Sequence, residues 1–156
     1  MTVLKRLPEF RMSHWLLRLP LIVVFTQQGL DKMPVDAETA ASFDLPYLVW
    51  WVVAYGELGA AIGLLFGGLF YIKDFTDWIT EIGDILTRFS GFTIGCIMTG
   101  VIWIAQPESF IDVILYDNFH VMLWVGGLYF ALREETEHEQ LFTNRLSSIY
   151  THLSLC

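Results

Sequence analysis

The sequence predicts an all-α protein: an integral membrane four-helix bundle with short loops and a polar, amphipathic C-terminal tail. Three observations predict it. First, 54% of the 156 residues are hydrophobic and only 17% are charged, against roughly 25% charged in a soluble domain. Second, the apolar residues fall into four blocks, about 14–33, 46–72, 85–105 and 111–132. A spanning helix needs about 20 such residues, and the fourth block reaches that only by borrowing 111–116 from the segment before Phe119–Leu132. Third, the blocks are continuous. Barrel strands would alternate polar and apolar residues, and only helices or closed barrels satisfy the backbone in lipid.

The first block carries Pro20 inside it, which neighbours in a membrane bundle tolerate. It follows a basic leader, MTVLKRLPEFRM, and lacks a small-x-small cleavage site, so it is expected to stay in the protein. Residues 1–13 then form a cytoplasmic N-terminal segment. The first loop, DKMPVDAETAASFDLP, offers Asp36 or Thr39 as the cap of a short interfacial helix, and Pro46 suits the start of the second span. The second span is glycine-rich. Gly59, Gly63 and Gly67 repeat every four residues with Gly56 beside them, and Gly91 and Gly95 repeat the device in the third span, a spacing that lets helices approach closely. Gly29 supplies a similar gap in the first. Between the second and third spans, Ile72, Phe75, Ile79 and Ile82 predict a short surface-lying helix. Residues 133–156 read as an acidic segment followed by a weakly amphipathic helix.

Charge sets the orientation. Lys5, Arg6, Arg11, Arg18, Lys73, Arg88, Arg133 and Arg145 belong to one side and Lys32 alone to the other, so both termini are placed on the cytoplasmic (inner) side of a bacterial or organelle inner membrane. The formal charge of −8 then gathers on the outer rim, at Asp31, Asp36, Glu38, Asp44, Glu108, Asp112 and Asp117, which excludes nucleic acid as a natural partner. Cys96 lies mid-span and Cys156 ends the sequence; there is no CxxC pair, which speaks against thiol–disulfide chemistry. The four histidines are scattered, and neither metal nor haem spacing is present.

Ionisable groups within spans are retained for pairing or function. Arg18, Ile22, Phe25, Gly29 and Lys32 share a stripe of the first helix at about 100° per residue, with Gln28 at its border and Asp31 pointing away. Glu57 sits mid-way along the second span, on a face with Trp50, Ala60, Ala61 and Leu64. The sequence offers two roles for this carboxylate: a structural ion pair with Arg18, or a ligand or proton site. His120 and Trp124 stand one turn apart on the fourth helix. With Glu57 and Gln28 they are expected to line an outer-facing cavity suited to a quinone head group or another small apolar ligand; the blander alternatives are an interfacial His and an aromatic belt. Arg18, Gln28, Lys32, Glu57, His120 and Trp124 are therefore the ligand-binding candidates, with no catalytic residue assigned. No cofactor is evident beyond a bound quinone or lipid.

Two segments carry a family resemblance. RLPLIVVFTQQGLDKM, with Arg18, Gly29 and Lys32 in that order, resembles the first helix of DoxX-like proteins. YGELGAAIGLLFGG, where Glu57 precedes the glycine-rich run, is similar to their second. The resemblance implies a four-helix membrane bundle up to about Leu132, in a broader group that includes the DoxD subunit of thiosulfate:quinone oxidoreductase and MauE-type maturation proteins. It implies an accessory subunit of a membrane-bound oxidoreductase or respiratory-type complex, packed against lipids and other membrane subunits or against itself. The alternatives are a quinol- or sulfur-compound-handling redox enzyme subunit and a stand-alone assembly factor. The fold does not choose among them, and the lack of a cofactor motif leans against an enzyme.

Overall fold

Four long helices, each antiparallel to the one it follows in the packing, build the structure. The computed structural model describes residues 13–72, 77–105 and 109–132. The N-terminal leader, the middle of the second connection and the tail with His138, His152 and Cys156 lie outside the described residues. The long helices are α1 (Ser13–Asp31), α3 (Tyr47–Ile72), α4 (Asp77–Ile104) and α6 (Asn118–Leu132); two short ones, α2 (Ala37–Ser42) and α5 (Phe110–Tyr116), sit in the connections. Helix α1 packs on α3, α3 on α4 and α4 on α6, and α6 touches α1. Both short helices therefore lie at one end, which we call the Lys32 end; the opposite one is the Arg18 end.

The helix boundaries differ from the apolar blocks in two places. The third block extends back by two turns, so α4 starts at Asp77 and absorbs Trp78, Ile79 and Ile82. No proline or exposed glycine interrupts that stretch: Gly83 is buried, and a Cβ there would lie 3.1 Å from the Phe70 Cβ. From Asp77 on, the stretch with Ile79 and Ile82 is the first part of a long helix in place of a separate surface helix; Phe75 lies outside the described residues. The fourth block is broken at Asp117, which caps α5 by donating its N–H to the Val113 carbonyl. Helix α6, on the far side of this break, is only 15 residues long, about 22 Å at 1.5 Å per residue.

Two helices are long and apolar enough to cross a membrane, over Tyr47–Phe70 and Trp78–Ile104. Their surface decides between a soluble core and a lipid environment. Only 39% and 33% of their apolar windows is buried, whereas a core helix of a soluble protein would bury most of its apolar side chains. Val52, Ile62, Phe66, Phe89 and Phe92 point outward, while Arg18, Glu57, Thr87 and Ser90 are buried. An apolar outside around a polar inside is the arrangement expected in lipid.

Small residues set the helix spacing. A Cβ on Gly91 would stand 2.5 Å from the Ala131 N and 2.6 Å from the Gly127 O, and one on Gly127 would stand 2.5 Å from the Ile94 Cγ2. Helices α4 and α6 thus meet backbone to backbone. Between the two ends lies a dry core of Leu21, Phe25, Ala60, Ala61, Leu64, Ile94 and Phe130.

Helix α2 is closed at both ends. The Asp36 carboxylate accepts from the Thr39 N–H at 2.7 Å and from its hydroxyl at 2.8 Å; the Thr39 backbone N–H, then its hydroxyl, hold the Asp36 carboxyl below its ordinary range. At the other end the Asp44 N–H donates to the Ala41 carbonyl and the Leu45 N–H to the Ala40 carbonyl, a Schellman closure. Its left-handed position falls on Asp44, at φ 54°.

Gly91→Ala is expected to lower stability by about 1–3 kcal/mol through overpacking. Gly59→Ala, at a position with nothing within 4 Å, is expected to be neutral or to add up to about 1 kcal/mol through helix propensity. Thermal unfolding in detergent micelles of the two variants against the wild type distinguishes them.

Candidate functional site

The charged side chains inside the bundle form two separate layers. At the Arg18 end, α1 buries His14, Arg18, Leu21, Phe25 and Gly29 at helical spacing. One guanidinium nitrogen of Arg18, Nη1, donates to the Leu64 carbonyl of α3 and, at 3.2 Å, to the Thr87 Oγ1 of α4. The guanidinium stands 4.8 Å from the Phe130 ring of α6 and 5.8 Å from that of Trp15, within cation–π range. Gly68 makes room for it, since a Cβ there would come within 2.8 Å of the Arg18 Cδ. Arg18 thus ties together all four long helices.

At the other end, Glu57 projects from the buried face of α3. Its partner is Lys32, one residue beyond α1, whose Nζ donates to Glu57 Oε2 at 2.8 Å and Oε1 at 3.0 Å. The same ammonium donates to the Gln28 carbonyl at 3.1 Å and faces its Oε1 at 3.5 Å. The pairing of Glu57 with Arg18 is therefore corrected. Antiparallel packing brings the end of α1, not its start, to the depth of Glu57, while Arg18 lies beside Leu64, two turns further along α3. The Glu57 side chain is 3% exposed and that of Lys32 15%; in so dry a place the pair holds only because each charge satisfies the other. The close approach depends on Gly29, where a Cβ would lie 2.6 Å from the Leu58 Cγ. Above the pair, the Trp50 ring lies 5.7 Å from the Lys32 Nζ and stacks on Phe43, with centroids 5.1 Å apart.

A half-open pocket of about 1170 Å³ lies next to this layer, at the Lys32 end. Helix α4 contributes Thr99 and Trp103, α6 contributes Trp124, the corner after α2 contributes Phe43 and Asp44, and Ser109 stands at the start of α5. Its wall is mainly apolar. The Trp124 indole N–H donates to the Thr99 Oγ1 at 3.0 Å, and that hydroxyl donates to the Gly95 carbonyl at 2.7 Å.

The candidate residues accordingly separate into four places. Gln28, Lys32 and Glu57 form one cluster, and Arg18 lies in the other layer. Trp124 lines the pocket, and His120 bonds through Nδ1 to Asp117 at the break before α6. Of the four residues expected to share a cavity, Glu57, Gln28, His120 and Trp124, this pocket takes in Trp124. Its other walls, Phe43, Asp44 and Trp103, come from loop corners and a helix end that periodicity does not single out. The glycines divide likewise. Gly56 meets Ile97 and Gly95 meets Leu128, Gly63 packs on Ser90 and Gly67 on Thr87, but Gly59 faces open space; Gly68, Gly126 and Gly127 are contact glycines that the four-residue repeat missed.

The DoxX family model matches residues 14–71, the stretch that holds α1, α2 and nearly all of α3 with both charged layers' principal residues. No curated protein and no solved structure matches the chain.

Lys32→Met is expected to destabilise the protein by about 3–5 kcal/mol, because it strands a buried carboxylate. The double variant Lys32→Met with Glu57→Leu is expected to recover most of that loss. Unfolding midpoints in micelles for the two single variants and the double give the coupling; simple additivity would show that the two side chains do not constrain each other.

Proposed function

We propose that the chain, whose residues 14–71 match the DoxX family model, serves as a small accessory subunit of a membrane-bound oxidoreductase or respiratory-type complex and holds a quinone or lipid in its outer half. The observation that carries the reading is the half-open apolar pocket walled by Trp103 and Trp124 at the Lys32 end. Ligand sites in helical bundles are of this kind: concave, mostly apolar, with few polar groups. In this reading all four long helices cross the bilayer, α1 and α6 being short enough to thin it locally or to sit little tilted. Among the described residues Lys32 is the basic residue at its end while Arg18 and Arg88 lie toward the opposite one, which favours a cytoplasmic Arg18 end with both termini there. The pocket then opens near the outer, acidic rim.

Redox catalysis by this chain itself is the weaker reading. Arg18, Gln28, Glu57 and His120 would have to converge on one substrate, and they occupy three separate places. Glu57 is already held by Lys32.

Gentle solubilisation of native membranes, affinity isolation and mass spectrometry test the proposal. The expected result is stoichiometric redox subunits together with a bound quinone or lipid, and loss of that small molecule, with the subunits retained, in Trp124→Ala. Isolation of the chain alone or only with copies of itself would overturn the subunit role in favour of a stand-alone factor.

A further inference from the structure

The pocket's chemistry narrows its ligand, an inference that rests on the proposed reading of it as a ligand site. Its wall contains four side-chain hydrogen-bond donors among the described residues: Thr99, Trp103, Ser109 and Trp124. Three are spent inside the protein. Thr99 donates to the Gly95 carbonyl, Trp124 to Thr99, and Ser109 to Asp112 Oδ2 at 2.7 Å. With only the indole N–H of the exposed Trp103 left, a ligand that offers only acceptors, a quinone among them, or an anionic one finds little to hold it, which narrows the proposed quinone or lipid to a lipid. The unspent charged group is an acceptor, the Asp44 carboxylate, which takes no hydrogen bond and no ion pair among the described residues. No lysine or arginine stands among the described wall residues.

Asp44 is the left-handed residue of the Schellman closure of α2, at φ 54°, where glycine is the usual occupant and aspartate is among the residues that tolerate the position. Its carboxylate stands at a pocket whose walls include two indoles. Ammonium groups favour indole faces, most of all beside a carboxylate. We propose that the pocket binds an amphiphile with an ammonium head, such as an amine-headed lipid: the head lies at Asp44 between Trp103 and Trp124, and the apolar chain runs along the remaining wall toward the membrane.

Three probes with the same eight-carbon chain test it: octylammonium, octanol and octanoate, titrated against the full chain in maltoside micelles with intrinsic tryptophan fluorescence as the readout. The expected result is saturable binding of octylammonium at least about tenfold tighter than of octanol, and none of octanoate. Asp44→Asn and Asp44→Gly are each expected to weaken octylammonium about tenfold and to leave octanol unchanged, and Asp44→Gly is expected to keep or raise the melting temperature because glycine favours the left-handed position. Equal binding of octylammonium and octanol, or octylammonium binding that survives both Asp44 variants, would overturn the ammonium assignment while leaving the pocket an apolar ligand site. Binding of none of the three would overturn the ligand site as well, and neither result bears on the partner subunits, which co-purification reads separately.

Discussion

The approach of α1 to α3 at Gly29 is the constraint on which the Lys32 end depends. Glu57 is almost fully buried, and a carboxylate placed there without a cation would be strongly unfavourable in a low-dielectric interior. Among the described residues Lys32 is the cation that reaches it, and it does so because the Gly29 backbone lies against Leu58 and Ala54. A larger residue would push the end of α1 outward and carry Lys32 with it. Lys32 in turn lies over the Trp50 ring, which stacks on Phe43, and Phe43 is a wall of the pocket. The buried charge, the corner after α2 and the pocket form one mechanical unit.

The Arg18 end is held by a different set of contacts. Arg18 donates to a carbonyl and a hydroxyl and lies against two aromatic rings. These contacts reach α3, α4 and α6, so the side chain acts as a hub whose reach fixes three helices relative to the first. Small residues surround it for the same reason as at Gly29: Gly67 and Gly68 leave space for Thr87 and the guanidinium. Van der Waals packing of this kind, together with hydrogen bonds, is what holds helices together where lipid tails remove the hydrophobic driving force.

Most of this was legible in the sequence where periodicity carried it. The stripe through Arg18, Ile22, Phe25, Gly29 and Lys32 follows the buried side of α1, except that Leu21 is buried in its turn and Ile22 only half-buried, and Trp50, Ala60, Ala61 and Leu64 are buried with Glu57. Which cation meets Glu57 was not legible, because it depends on the axial offset of two antiparallel helices, and a sequence gives depth only to within a turn or so. The break at Asp117 was hidden for a related reason: the apolar run on either side of it continues, and only capping geometry ends α5. The pocket was least visible of all. Asp44 gives no motif; its meaning comes from a backbone angle and from neighbours more than fifty residues away along the chain.

The position of the pocket follows from how the interior is filled. The space between the two charged layers is occupied by Leu21, Phe25, Ala60, Ala61, Leu64 and Ile94, with no chain of polar groups linking Arg18 to Glu57 among the described residues. A water or ion path through a single copy would have to displace this packing, which argues against conduction by the chain alone. A ligand is excluded from the centre by the same close contacts, most severely between α4 and α6, where Gly91 and Gly127 bring the backbones together. Toward the Lys32 end those two helices carry Thr99, Trp103 and Trp124 at the pocket, and α5 and the corner after α2 complete its wall. A ligand held at that end, beside an apolar core, would suit the proposed subunit that retains a membrane-soluble molecule rather than one that passes it through.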